Sequence, residues 1–499
     1  MDRGRSGEEM QGKSGISLWG RRVYFLLALA FVCFIGAKAV DGDPPAFDGD
    51  HNFLMAYNLI NAGVMSIDDS GQRLGLPATN YREPLYPLLL AGIMKAILPN
   101  PLPDLSCFRT KETDCGTLHE RLKLLNVGLI IVLLAAFYVM FPLVAEALGL
   151  SKRQGGGLSF AMITFIAAGS SYLAKVEFYY SDVLAGLLVF LHGASLLLFI
   201  TRGRKTWAVV CGLSLGAIVL TKAIFLYWML MLCLAIVGAA FLSWGRQPGR
   251  RAAVAMLIVI AVLPVGSWMT RNHVEIGSFS VSSGRDYQVL GVRAEYDAMR
   301  REEYFPGFVY FVPVYGWAAA EKWFDEKDYR RYVRNNPDSF FKVGQSREGL
   351  VGRQVEEGRS TYIAALSVFV EHLPMHIATT ALMTYRSFFI PAGYRTLRVK
   401  VGALSNWMTM ATFIIHVTLV PSFILLCIWA VYRRDWFLLI FLAPAIFSVA
   451  IHAGLTHYIP RYNLPLIPLL FFSQFVLFCR LWDLISGRFL QERGNVNAS

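Results

Sequence analysis

Long apolar runs constrain this chain more than any other feature. About 20 mostly apolar residues suffice to cross a bilayer as a helix. Such runs fall near 23–41, 122–148, 157–175, 182–201, 206–222, 223–243, 252–270, 407–431, 436–454 and 463–482. They predict an all-α polytopic membrane protein built on a bundle of about ten transmembrane helices. Charged residues make up 16% of the chain and hydrophobic ones 55%. Soluble domains carry about 25% charged residues, so a soluble multidomain protein is excluded. A disordered chain and a disulfide-rich secreted scaffold are excluded with it. In this setting the formal charge of +12 points to basic loops and anionic headgroups of the lipid bilayer. No nucleic-acid-reading motif accompanies it, so no nucleic acid partner is expected.

Loop lysines and arginines orient the spans. They cluster at Arg3, Arg5, Lys13, Arg21 and Arg22; at Lys152 and Arg153; at Arg202, Arg204 and Lys205; at Arg246, Arg250 and Arg251; at Arg433 and Arg434; and at Arg480, Arg488 and Arg493. With ten spans these clusters share one side. Both termini are then cytoplasmic, with tails at 1–22 and 483–499. The first apolar run has no small-residue cleavage site after it and reads as an anchor. The chain divides into a transmembrane module at 23–270, an outward segment at 271–406 and C-terminal spans at 407–482. A first outward loop, 42–121, lies within the module. It holds Cys107 and Cys115, which suit a disulfide in an oxidising compartment; two free thiols are the alternative.

Both outward segments have internal pattern. Residues Phe53 to Val64 read as an amphipathic helix, with Leu54, Tyr57, Leu59 and Ile60 opposite Asn52, Asn58 and Asn61. Leu85 to Leu98 follows Pro84 and is too short to span, so it reads as a juxtamembrane or re-entrant helix. Two such helices in one loop suggest a surface working at the lipid boundary. Residues 285–360 are charged and aromatic and read as a small extramembrane cover. Residues 361–390 read as an amphipathic helix pair.

Ionisable groups at a membrane boundary are costly unless paired or used. Asp48 and Asp50 open the first amphipathic stretch. Either suits a general base that takes a proton from an acceptor hydroxyl; simple helix capping is the alternative for Asp50. Arg82 and Tyr86, in the motif from Tyr81 to Pro87, suit a lipid phosphate or interfacial anchoring. Asp182 follows Glu177, Tyr179 and Tyr180 at an outward turn, where it either caps a span or faces the cavity of Asp48. Arg271, Arg461 and Lys222 are outward cations at span ends, against the positive-inside bias, with snorkelling as the alternative. No Walker loop, zinc-ligand spacing or nucleophile elbow is present in the sequence.

The order of these motifs resembles a known family. Asp48 is followed by Ala56, Tyr57, Asn58, Leu59, Ile60 and Gly63, then by Arg82, Glu83, Pro84, Leu85, Tyr86 and Pro87. Tyr180, Ser181, Asp182 and Ala185 follow, then Pro264, Thr270, Arg271, Asn272 and Gly277, and finally Pro460, Arg461, Tyr462, Pro465 and Pro468. The set resembles bacterial membrane glycosyltransferases of the GT-C class, in the glycosyltransferase family 39-like branch related to protein O-mannosyltransferases and lipid A aminoarabinose transferase. The resemblance implies a GT-C-like bundle, a polyprenyl-phosphate sugar donor, an acceptor outside the membrane and inversion at the anomeric carbon. Asp48 then matches the catalytic carboxylate, and Asp182 a second carboxylate in the cavity. Arg82, Arg271 and Arg461 match phosphate-binding residues. Many members have Glu after the catalytic Asp, where this chain has Gly49 with Asp50 beyond it, so the choice between Asp48 and Asp50 stays open.

This reading places the protein in a bacterial inner membrane with a periplasmic active site. The acceptor is a glycan, a lipid or a protein. No cofactor is required, a divalent metal is optional, and activity is expected to survive chelation. The competing readings are a lipid or glycan transporter, which typically shows repeats and mid-span charges, and a membrane scaffold.

Overall fold

A computed structural model describes residues 18–485, apart from 73, 100, 111–112, 242–248, 284–285, 314 and 391–401. Of the orienting cations, Arg3, Arg5, Lys13, Arg246, Arg488 and Arg493 lie outside the described residues, as does most of each expected tail.

The described chain is helical. It begins with α1 (Leu18–Ala39), α2 (Asp48–Ala62), α3 (Leu85–Ile97), α4 (Thr113–Ala147), α5 (Lys152–Ala168), α6 (Ser170–Leu173), α7 (Asp182–Arg202), α8 (Lys205–Val219), α9 (Phe225–Phe241) and α10 (Arg250–Ile276). The outward segment holds α11 (Asp286–Asp297), α12 (Arg301–Tyr310), α13 (Gly316–Trp323), α14 (Glu326–Tyr329), α15 (Phe340–Gly344), α16 (Leu350–Glu356), α17 (Thr361–Glu371) and α18 (Leu373–Arg386). The chain returns through α19 (Ala403–Arg433), α20 (Trp436–Leu455), a short 3-10 turn at Pro460–Leu466, and α21 (Ile467–Ile485).

Among the described residues, eight helical segments are long and apolar enough to cross a membrane. The expected runs at 206–222 and 223–243 are present as shorter apolar helices, with 15 and 17 described residues. Helix α8 packs closely against its neighbours. Its Ala208, Cys211, Leu215 and Ile218 are fully buried. Gly212 and Gly216 face α10 so closely that an added Cβ would sit 2.6 Å from the Leu257 carbonyl oxygen and 2.8 Å from that of Ala261. Small residues four apart allow this backbone approach.

The helices alternate in direction. Glu146, Arg202 and Arg250 meet at one end, where Arg202 pairs with Glu146 at 2.8 Å and Arg250 lies against Gly203. The two long connections leave from the other end. The first differs in detail from its sequence pattern. Helix α2 begins at Asp48 rather than Phe53 and ends at Gly63, whose left-handed φ of 71° stops it. Its supposed polar face is internal: Asn52 and Asn58 are buried and donate to the carbonyls of Tyr179, Ser66 and Asp68. Phe53, Tyr57, Tyr86, Leu90, Phe108 and Tyr179 form a separate core beneath it. Cys107 and Cys115 are joined by a disulfide that closes this loop. The second connection folds as a helical element with its own apolar cores, and 361–390 contains the expected helix pair, α17 and α18.

Candidate active site

The first turn of α2 lies against the turn that precedes α7. Gly49 makes this possible, since a Cβ there would meet the Tyr179 backbone nitrogen at 3.2 Å. Asn52 Nδ2 donates to Tyr179 O at 2.7 Å and ties the two together. The lead-in to α2 is held as well. The buried Lys123 ammonium donates to Asp41 Oδ1 at 2.6 Å, to Asp41 O at 3.0 Å and to Asp43 O at 2.8 Å. Asp48 is thereby fixed at the end of the bundle that carries the long connections.

Four other segments bring charge to the same place. Arg82, just before α3, donates through Nη2 to Asp48 Oδ1. The same nitrogen lies 3.2 Å from His51 Nδ1. Arg461, at the start of the last span, reaches Asp48 Oδ2 with Nη1 at 3.2 Å and Asp182 Oδ2 with Nε at 2.7 Å. Lys222, in the turn between α8 and α9, donates to Asp182 Oδ1 at 2.9 Å. The Arg461 guanidinium carbon lies over the Tyr180 ring, 3.7 Å from its centroid. Lys175 approaches the same ring from 5.7 Å.

Exposure divides this network. Asp182 is enclosed between two cations, whereas Asp48 keeps 32% of its side chain accessible and Arg461 and Lys222 about a quarter of theirs. Three cations, Arg82, Arg461 and Lys222, face two carboxylates. The five groups together carry an excess positive charge and an accessible carboxylate. Such a cluster can bind a phosphate through guanidinium and ammonium donors.

The other candidates have partners of their own. Asp50 points to Arg109, which donates to Oδ1 at 2.6 Å. Neither Asp48 nor Asp50 caps α2; Phe47 occupies that position. Tyr86 is buried and donates to Asn126 Oδ1 at 3.2 Å, while Asn126 donates to Phe178 O at 2.6 Å. Tyr86 thus braces the turn before α7. Arg271 donates to Asn272 Oδ1 at 3.0 Å and lies 5.0 Å from the Trp268 ring. His51, Tyr180, Lys175 and Lys123 were not singled out by sequence reasoning, although the first two lie inside motifs that were. Among the described residues, no group of three or more His, Cys, Asp or Glu side chains is placed to hold a metal ion.

No family model matches the chain, and no curated protein matches it. Among solved structures it is similar to the crystal structure of ArnT from Cupriavidus metallidurans bound to undecaprenyl phosphate. The identity is 14%, over 90% of this chain and 78% of that one, with a TM-score of 0.36. A likeness of this degree carries no argument about the chemistry, which rests on the site geometry.

Proposed function

We propose that this protein is an inverting membrane glycosyltransferase. It moves a sugar from a polyprenyl-phosphate donor to an acceptor on the periplasmic side of a bacterial inner membrane. The observation that carries this reading is the Asp48 carboxylate held, still accessible, between Arg82 and Arg461 in a cluster with excess positive charge. The motif order from Asp48 to Arg461 supports it.

The chemistry follows from the charges. A donor phosphate competes with Asp48 for the Arg82 and Arg461 guanidiniums and frees a carboxylate oxygen. An acceptor hydroxyl then attacks the anomeric carbon from the face opposite the phosphate. As the new C–O bond forms, the hydroxyl proton passes to Asp48. The bond from the anomeric carbon to the phosphate oxygen breaks, and its electron pair leaves with polyprenyl phosphate. Negative charge grows on that phosphate in the transition state, where fixed cations stabilise it most. One displacement inverts the centre. The phosphate leaves as an anion, so no acid is needed to protonate it. Asp182 holds Arg461 and Lys222 in position for this work. Positive charge comes from side chains, so transfer is expected to persist in a chelator. Loss in chelator with recovery on adding a divalent ion would contradict that.

The test uses purified protein in liposomes with a panel of polyprenyl-phosphate sugars and follows release of polyprenyl phosphate. Turnover of one donor, lost on Asp48→Asn, is the expected result. A folded protein that binds or moves the lipid but turns over no donor would instead be a transporter.

A further inference from the structure

Beside the ion cluster lies a cavity of about 330 Å3 that the donor chemistry leaves unused. Tyr310, Phe311, Trp317, Arg386, Phe389 and Pro460 help to line it. Pro460 immediately precedes Arg461, whose guanidinium holds both Asp48 and Asp182. The cavity and the candidate active site therefore adjoin along one short loop. The same loop anchors Arg386, whose Nη1 donates to His457 O at 2.9 Å. The Arg386 guanidinium also lies 4.3 Å from the Phe311 ring centroid.

This lining combines aromatic faces with a fixed guanidinium. Aromatic faces carry partial negative charge and suit the weakly positive C–H faces of a pyranose ring. Guanidinium N–H groups suit its hydroxyl oxygens. An isoprenoid or acyl chain would leave those donors unanswered and so desolvate them at a cost. The pocket is open on one side, and its volume, near the lower end for small-molecule sites at about 300 Å3, accommodates a sugar unit. Trp317 is 58% exposed, so one wall stays open for the rest of a larger molecule to extend outward.

We infer that this cavity is the acceptor subsite and takes a pyranose unit of a glycan acceptor. The inference rests on the glycosyltransferase reading and narrows its acceptor to a carbohydrate. Binding measurements on the full-length protein separate the two. Short hexose oligosaccharides and, in parallel, polyprenyl phosphate are titrated into wild type, Trp317→Ala, Phe389→Ala and Asp48→Asn in detergent. Wild type is expected to bind an oligosaccharide, and Asp48→Asn to retain the contacts made in the pocket. Each aromatic truncation is expected to weaken that binding about tenfold and leave polyprenyl phosphate binding unchanged. The inference is overturned if wild type binds no oligosaccharide. It is equally overturned if both truncations bind as wild type, or if they weaken polyprenyl phosphate binding instead. Failure of the glycosyltransferase reading has a different signature: oligosaccharide binding without turnover of any donor.

Discussion

In the outward segment, Arg293 and Asp297 are both fully buried and pair at 3.0 Å within α11. The Arg293 nitrogens donate to Ala453 O at 2.7 Å and to His376 O, Thr379 Oγ1 and Thr380 Oγ1 at 2.9 Å each. Asp297 also receives the Thr379 hydroxyl and lies 2.7 Å from His376 Nδ1. At the bundle end, Asp48 meets Arg82 and Arg461 with a third of its side chain accessible and an extra cation at Lys222. Both regions pair carboxylates with guanidiniums. The first matches one charge to one and fills the remaining donors with hydroxyls and carbonyls, so nothing is left to bind a ligand. It pins the outward element to the end of α20. The second leaves a carboxylate and two of its cations reachable, which suits a transient anionic substrate.

The comparison can be broken by substitution. Arg293→Met leaves Asp297 buried without its ion-pair partner and is expected to destabilise the protein by about 3–5 kcal/mol. Thermal unfolding in detergent would register this, and the fraction still folded should keep its donor turnover. If turnover falls while stability holds, the buried pair is not merely an anchor. Arg461→Lys keeps a charge but removes the fork that reaches Asp48 and Asp182 together. Steady-state assays should show transfer reduced about tenfold or more with little change in melting temperature. The smallest effect is expected at the partly exposed Asp50–Arg109 pair. Asp50→Asn should cost about 1 kcal/mol or less and leave turnover close to wild type. A loss at Asp50 comparable to that at Asp48 would move the catalytic carboxylate by two residues.

Much of this was legible in the chain, for reasons that particular residues make plain. Asp48, Arg82, Asp182, Lys222 and Arg461 each lie where an apolar run starts or stops, and alternating spans bring such positions to one end. Their mutual contact follows from topology. Other features depend on tertiary neighbours. Asn52 and Asn58 look like a solvent face by spacing, yet Tyr179 O and the 66–68 turn bury them. Arg293 and Asp297 look like an ordinary i, i+4 surface pair, because their other partners lie some 80 to 160 residues further on. Tyr86 has the right chemistry for a phosphate, but it is buried and its hydroxyl proton goes to Asn126. The close approach of α8 to α10 through Gly212 and Gly216 depends on tertiary neighbours too, since hydropathy does not report which face of a helix meets which partner.

The most direct test of the central claim compares wild type with Asp48→Asn in a single preparation, measuring polyprenyl phosphate affinity and sugar transfer together. Asp48 competes with the phosphate for Arg82 and Arg461 and accepts the acceptor proton. The substituted protein should therefore bind polyprenyl phosphate at least as tightly as wild type while transferring about 100-fold more slowly or worse. Weaker lipid binding with unimpaired transfer would contradict both roles and dissolve the proposed site.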